Sequence, residues 1–369
     1  MKYYIIAGEA SGDLHGSNLI KELRKVDANA MIRCWGGDKM QDAGGQLVKH
    51  YRDLAFMGFA EVVKNLGAIL QNFKFCKQDI LQFKPDALIL IDYPGFNLRI
   101  AKWARQQGLK VIYYISPQVW AWKENRVRSM KKNIDKMIVI IPFEKEYFKN
   151  KWHWHVEYVG HPLVEVIERY KAQTTSSKIS DKPIIALLPG SRKQEIAKKL
   201  PIMLEVSKSF PAYQFVIAEA PSIERGFYQD LTRNYSNVSA VKDQTYDLLM
   251  QAQAALVTSG TATLETALFG VPEVVCYKGS PVSYQIARRV IKVKYISMVN
   301  LIMDRPVLKE LIQDELTPEN LTRELSELLE NKKRIEELKK NYAELKTILS
   351  TEGNASARVA ALIVNFLSK

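Results

Sequence analysis

The chain has 369 residues and a formal net charge of +13, from 53 Lys and Arg against 40 Asp and Glu. With 47% apolar and 25% charged residues it is not a disordered chain, and 18 Gly with 14 Pro exclude collagen-like or low-complexity material. The three cysteines, Cys34, Cys76 and Cys276, are far apart and form no C-x-x-C, which argues against a disulfide framework or cysteine zinc site and for a reducing cytoplasm.

In chain order, the first apolar run covers residues 3–7. The start reaches Glu9 too soon for a signal peptide, so this run reads as a buried strand and the protein is expected to stay inside the cell. No stretch approaches the ~18–20 continuous apolar residues of a spanning helix. Val62, Val63, Leu66, Ile69, Leu70 and Phe73 follow i, i+3, i+4, i+7 spacing over 61–73, which predicts a helix with one apolar face. That face suits either the protein's own core or a membrane surface. Runs at 87–91, 111–115 and 137–141 read as further strands, bounded by Gly, Pro or Asp. Residues 171–182 are polar and aperiodic, the signature of a linker. Beyond it the strand pattern repeats at 184–188, 214–218, 254–258 and 273–277, with helical spacing between the runs. Strand–helix alternation on both sides predicts an α/β protein of two doubly wound domains with parallel sheets, about 1–170 and 182–345. The segment after Thr317 is charged and helical. The last one, 352–369, carries an apolar-faced helix expected to pack back on the first domain.

Ligands of open parallel sheets bind beyond the carboxyl ends of the strands. Five loops in such positions carry chemistry. Gly8-Glu9-Ala10-Ser11-Gly12-Asp13-Leu14-His15-Gly16 has glycines every fourth residue and fits neither a P-loop nor a dinucleotide fingerprint. Its glycines allow close backbone approach, and the next helix offers N–H groups to an anion or a sugar hydroxyl. The plainer reading is a tight turn with Ser11 or Asp13 as N-cap. Asp92 ends the apolar run 87–91, where a partly desolvated carboxylate suits a general base; the plainer reading is an N-capping Asp. Gln118, Trp120, Trp122 and Lys123 follow the run 111–115 and suit a sugar, a phosphate or an acyl chain. Lys123, Arg126, Arg128, Lys131, Lys132 and Lys136 form a basic cluster there. Ser191 and Gln194 have capping-box spacing, which would put Arg192 in a first helical turn, favourable for a diphosphate. Ser259-Gly260-Thr261-Ala262-Thr263-Leu264-Glu265 makes a second anion-accepting helix start, with Glu265 one turn in. His153 and His155 lack a third partner, so no metal is expected.

Together these loops resemble lipid-A-disaccharide synthases, bacterial glycosyltransferases of two-domain GT-B architecture with Rossmann-like domains facing a cleft. The resemblance rests on 8–13, 91–97, 116–122, 141–144, 188–192, 259–265 and Asn300-Leu301, which occur in family order. It implies an inverting transfer from UDP-2,3-diacylglucosamine to 2,3-diacylglucosamine 1-phosphate, giving a β-1,6-linked disaccharide and UDP, without a metal or cofactor. It places the base on Asp92 and UDP contacts on Arg192, Ser259, Gly260, Thr261, Thr263, Glu265 and Asn300. Further substrate contacts fall on Glu9, Ser11, Gly12, Asp13, Asn97, Gln118, Trp120 and Lys123. The first domain would face the acceptor and the membrane, with peripheral binding to the cytoplasmic face of the inner membrane, and a homodimer is allowed. Many relatives carry an acid at the position of Gly95, which leaves Asp92 as the only carboxylate of its loop. Rival readings are a UDP-sugar epimerase or other GT-B enzyme, a non-catalytic basic lipid-binding protein, and a nucleic-acid binder. The last lacks any recognition motif.

Overall fold

A computed structural model describes residues 1–54, 66–173, 177–221, 223–281, 284–285, 289, 293–350 and 354–368. Its contacts divide the chain into two units, Met1–Pro162 with Ser350–Lys369, and Leu163–Leu349.

The first unit is built on β1 (Lys2–Ala7), β2 (Met31–Gly36), β3 (Gln46–His50), β4 (Ala87–Ile91), β5 (Val111–Tyr114), β6 (Lys136–Val139) and β7 (Glu157–Tyr158). They form one parallel sheet in the order β3-β2-β1-β4-β5-β6-β7. Residues 3–7 and 87–91 are completely buried, because helices cover both faces of the sheet; this is why these strands are uninterrupted apolar runs rather than alternating ones. One buried polar network crosses this core. Tyr4 donates to Asp79 Oδ2 (2.6 Å), and Arg33 forms a two-pronged pair with the same carboxylate (2.6 and 2.9 Å). The helix Ala355–Leu367 packs against the helix Ala10–Val26, its first turn capped by Asn354, whose Oδ1 accepts from the Ala357 amide (2.9 Å).

The second unit holds β8 (Ile184–Leu188), β9 (Gln214–Glu219), β10 (Val238–Lys242), β11 (Ala252–Thr258), β12 (Glu273–Tyr277) and β13 (Lys309–Ile312), all parallel, in the order β10-β9-β8-β11-β12-β13. Its core joins these strands to Leu163 and Ile167 of the helix Pro162–Gln173, and to Leu321, Leu338 and Leu345 of the helices Pro318–Glu330 and Lys332–Leu349. The helix Pro162–Gln173 thus runs into the segment whose polarity suggested a linker.

Each sheet reverses its winding direction once, between β1 and β4 and between β8 and β11. At such a switch point two adjacent loops leave in opposite directions and open a crevice beyond the carboxyl ends of the strands. The loops that flank the two switch points are those following residues 7, 91, 188 and 258, four of the five singled out by sequence.

The expected amphipathic helix exists as Leu66–Phe83; Val62 and Val63 lie outside the described residues. Its face is shared. Phe73 stacks on Phe96 (centroids 4.3 Å apart) and Cys76 and Ile80 are buried, whereas Leu70 is 62% exposed. No helix among the described residues is long and apolar enough to cross a membrane.

Candidate active site

At the first switch point the backbone itself is unusual. Asp92 and Tyr93 are successive non-glycine residues in the left-handed region, with φ of 45° and 50°. That conformation costs energy and persists only where the surroundings enforce it. The enforcers are visible. The Asp92 amide donates to Tyr114 O (3.2 Å), and its carbonyl accepts from the Tyr113 hydroxyl (2.6 Å) and from Asn97 Nδ2 (2.8 Å). The same Asn97 amide reaches Ile91 O (3.2 Å) and Ile6 O (3.4 Å), tying the ends of β4 and β1 together. Asn97 has no exposed surface, so it acts here on the backbone of the loop. Pro94 then starts the helix Pro94–Gln106.

The turn leaves the Asp92 carboxyl half-buried at the mouth of the sheet. Burial, and secondarily the nearby Glu9 carboxylate, push its pKa up to about 7. Gly8 is required by this arrangement. A Cβ there would lie 2.3 Å from the Tyr93 ring. The helix Ala10–Val26 begins right after Glu9, so Glu9 occupies the N-cap position expected for Ser11 or Asp13. Asp13 caps a different element. Its carboxylate accepts from the amides of Gly37 (2.7 Å), Met40 (3.0 Å) and Lys39 (3.2 Å), and it is buried. Ser11 is exposed and Gly12 is buried against Ala7.

The loops after β5 and β6 extend the same edge. Trp120 is half-buried, packs edge-on against Phe143 (4.9 Å) and donates its indole N–H to Glu144 Oε1 (3.0 Å). Glu144, at 1% exposure, is a feature the sequence reading passed over within its 141–144 motif. Burial pushes its pKa up to about 8, and Asp92 adds to the shift. Gln118 and Lys123 are exposed; the Lys123 ammonium sits 4.2 Å from the Trp122 ring centroid.

The second switch point carries the opposite chemistry. The helix Lys193–Ser207 starts one residue later than the capping-box spacing suggests. Arg192 is the extended N-cap residue, mostly exposed, and its guanidinium pairs with Glu195 (3.3 Å). Gly190, at φ 118°, makes the turn; a Cβ there would sit 3.0 Å from Glu195 Oε2 and 3.7 Å from Lys199 Nζ. Lys199 is the other residue missed by the sequence reading. It is 2% exposed beneath the 189–192 turn, and burial lowers its pKa. Its helix spacing looks like a surface lysine, so only the structure exposes it.

Across the switch point, Gly260 caps the helix Thr261–Phe269. Ser259 donates to Ile296 O (2.7 Å) and Thr263 to Gly260 O (2.8 Å), so these hydroxyls brace the loop, while Thr261 is exposed. Glu265 accepts from Tyr246 (2.9 Å) and has its pKa raised by burial. Asn300 is buried with its whole amide engaged: Nδ2 donates to Leu308 O and Glu310 Oε1 (both 2.9 Å), and Oδ1 accepts from the Leu308 amide (2.8 Å). Among the described residues no group of three or more His, Cys, Asp or Glu is arranged to hold a metal ion.

A family model described as lipid-A-disaccharide synthetase matches residues 3–364. The chain is 37% identical to the lipid-A-disaccharide synthase of Geobacter sulfurreducens, covering 99% of this chain and 97% of that one. In fold it is similar to the UDP-GlcNAc 2-epimerase of Neisseria meningitidis solved with UDP-GlcNAc bound (TM-score 0.70, 15% identity, 99% and 100% of the two chains). It is also similar to the kitacinnamycin glycotransferase (TM-score 0.67, 15% identity, 99% of each chain). These place the chain in the GT-B fold.

Proposed function

The chain belongs to the lipid-A-disaccharide synthetase family of glycosyltransferases, and from that premise we propose that it joins UDP-2,3-diacylglucosamine to 2,3-diacylglucosamine 1-phosphate with inversion. Asp92 takes the proton of the acceptor 6-hydroxyl as that oxygen forms the bond to the donor's anomeric carbon. The bond from that carbon to the UDP oxygen breaks, and its electron pair leaves with the diphosphate. The products are the β-1,6-linked disaccharide 1-phosphate and UDP, with the proton held on Asp92 until water removes it.

The observation that carries this reading is the Asp92 carboxyl held at the first switch point on a strained, over-determined turn. A base works best with a pKa near the working pH, and burial brings Asp92 there. The leaving group is the task of the second unit. Arg192 and the N-termini of the helices Lys193–Ser207 and Thr261–Phe269 supply positive charge and N–H donors to the diphosphate. Glu265, oriented by Tyr246, accepts from the ribose hydroxyls. Asn97, Asp13, Thr263 and Asn300 hold the loops in shape. No step calls for a metal or a cofactor. The first unit takes the acceptor, and the exposed Leu70 side of the helix Leu66–Phe83 gives it reversible purchase on a bilayer from which acylated substrates are drawn.

Incubating the protein with both substrates and weighing the products tests this: disaccharide 1-phosphate and UDP should appear together, and UDP without disaccharide would count against it. Vesicle co-sedimentation of Leu70→Ser, with circular dichroism as folding control, tests the membrane contact. Undiminished sedimentation would reject that surface.

A further inference from the structure

Beside the Asp92 turn, within the first unit, lies a cavity of about 260 Å³ between the helices Pro94–Gln106 and Arg126–Asn133. That is far more than one water's share of about 30 Å³. Its floor is apolar, made by half-buried Leu98 and by buried Met130 and Ile134. Its walls carry three cations, Arg99, Lys102 and Arg126, and its lining contains no acid. The nearby carboxylates are already engaged. Asp135 pairs with Arg105 and accepts from the Val111 amide (2.8 Å), and Glu124 pairs with Lys151 (2.6 Å) and accepts from Tyr147 (2.7 Å). Among the described residues none of the three cations forms an ion pair; Arg99 and Arg126 lie instead near the Phe73 and Trp122 rings, each at 5.7 Å. The lining begins close to the proposed base along the chain: Pro94 and Gly95 contribute to it, two and three residues after Asp92, and nothing stands within 4 Å of where a Gly95 side chain would begin.

An apolar floor under three uncompensated cations recognises an amphiphile with an anionic head. We infer that this cavity is the acceptor subsite for the phosphate and the adjoining part of an acyl chain, so that Arg99, Lys102 and Arg126 select a phosphorylated acceptor and hold it beside Asp92. This rests on the proposed glycosyl transfer. Of the substrates in that reaction, the acceptor alone carries a phosphomonoester next to acylated sugar, and its reacting hydroxyl must reach Asp92. Gly95 leaves the mouth of the cavity open, with nothing within 4 Å of where a side chain would begin.

The test compares two acceptors, diacylglucosamine 1-phosphate and the same molecule without the phosphate, in the parent and in Arg99→Ala/Lys102→Ala/Arg126→Ala. The parent's kcat/KM should favour the phosphorylated acceptor by about ten- to hundredfold, the worth of one or more charge-assisted contacts. In the triple variant that ratio should fall to about one while the KM for the UDP-sugar stays put. A ratio that survives the triple substitution overturns the subsite. So does loss of binding to phosphatidylglycerol vesicles with the acceptor ratio intact, which would assign the cations to the membrane surface. If circular dichroism shows the triple variant unfolded, Arg99→Gln and Arg126→Gln, each on an accessible side chain, are read by the same ratio. If the parent makes no disaccharide from either acceptor, the transfer reading has failed, and calorimetry with the two amphiphiles still judges the cavity. Equal affinity for both would reject it, and tighter binding of the phosphorylated one, lost in the triple variant, would support it.

Discussion

The two switch points share a scaffold and differ in sign. Each lies where a parallel sheet reverses its winding, each is flanked by two loops, and in each a tight turn leads into a helix. In the first unit the loops present carboxyls, Glu9 and Asp92, with Glu144 behind, and burial, with a smaller contribution from the neighbouring carboxylates, raises the pKa of both Asp92 and Glu144. In the second unit they present Arg192, helix N–H groups and hydroxyl residues, with Lys199 beneath. The sheet decides where chemistry is placed, and the few residues after each strand decide which charge is offered. In the proposed transfer, proton removal and leaving-group stabilisation need opposite charges, and placing them on two sheets would let each loop be tuned without weakening the other.

The sharpest way to break this division is Asp92→Asn. Turnover should fall by about 10²–10⁴, while UDP binding measured by calorimetry stays at the parent value. If UDP binding falls along with turnover, the first switch point is not confined to the acceptor side.

The same substitution carries a pH signature. The folded pKa of Asp92 is raised to about 7 from an ordinary 3.8. Its contribution to stability is therefore complete below about pH 4 and is lost as the pH rises through 7, when a desolvated carboxyl must ionise. Asp92→Asn should thus stabilise the fold at pH 8, on the order of 2–4 kcal/mol, and change nothing at pH 3. Denaturant titration at the two values checks it. His15 and His161 work the other way. Burial lowers their pKa to about 4 and 3, so the stability they contribute is present above 6.5 and is lost as the pH falls toward those values. The parent's stability between pH 4 and 6.5 is a partial cancellation, and only the variant separates the terms. The parent's kcat/KM should rise with an apparent pKa near 7, and a flat profile through that range would argue against Asp92 as base.

On the second side, Arg192→Ala should weaken UDP binding by about 1.5–3 kcal/mol, the worth of a charge-assisted contact. The titration near pH 7 should remain. Unchanged UDP affinity would remove Arg192 from the leaving-group site.

Much of this was legible from residues alone, for a physical reason. Central strands of covered parallel sheets are buried on both faces, so β1, β4, β5, β8, β11 and β12 stand out as apolar runs. The strands that escaped notice are those in which burial is partial or polar. β2 carries Arg33, a half-buried cation paired with Asp79, which interrupts its apolar pattern. β3, β10 and β13 lie at or near sheet edges and carry Lys, Ser or Glu. The site was legible to the level of the loop and not of the atom. Asp13, Asn97 and Asn300 look like ligand contacts in a sequence because polar residues at strand ends usually face solvent. In the fold the Asp13 carboxylate, the Asn97 Nδ2 and the Asn300 amide are engaged by groups 5 to 91 residues away along the chain, most of them backbone, which spacing cannot reveal. Glu144 and Lys199 show the converse. Each lies on a helix where a charged residue is unremarkable, and only burial marks it out.

Two glycines bring the comparison to its finest scale. Gly95 sits in the first turn of the helix Pro94–Gln106 with open space where a side chain would start, and without a positive φ. Gly95→Ala should therefore stabilise the protein by about 0.4–1 kcal/mol, chiefly by restricting the unfolded chain. Gly190 has φ 118°, and an added Cβ would press on the Glu195 carboxylate at 3.0 Å. Gly190→Ala should cost about 1–3 kcal/mol. The two changes are chemically identical, so opposite signs in thermal or denaturant melts would locate the strain of each turn. In the first unit it falls on Asp92 and Tyr93, where the proposed base itself holds the left-handed conformation. In the second it falls on a glycine, which leaves Arg192 in relaxed extended backbone. Equal signs would mean that the two turns are built alike, and that the difference between them lies in charge alone.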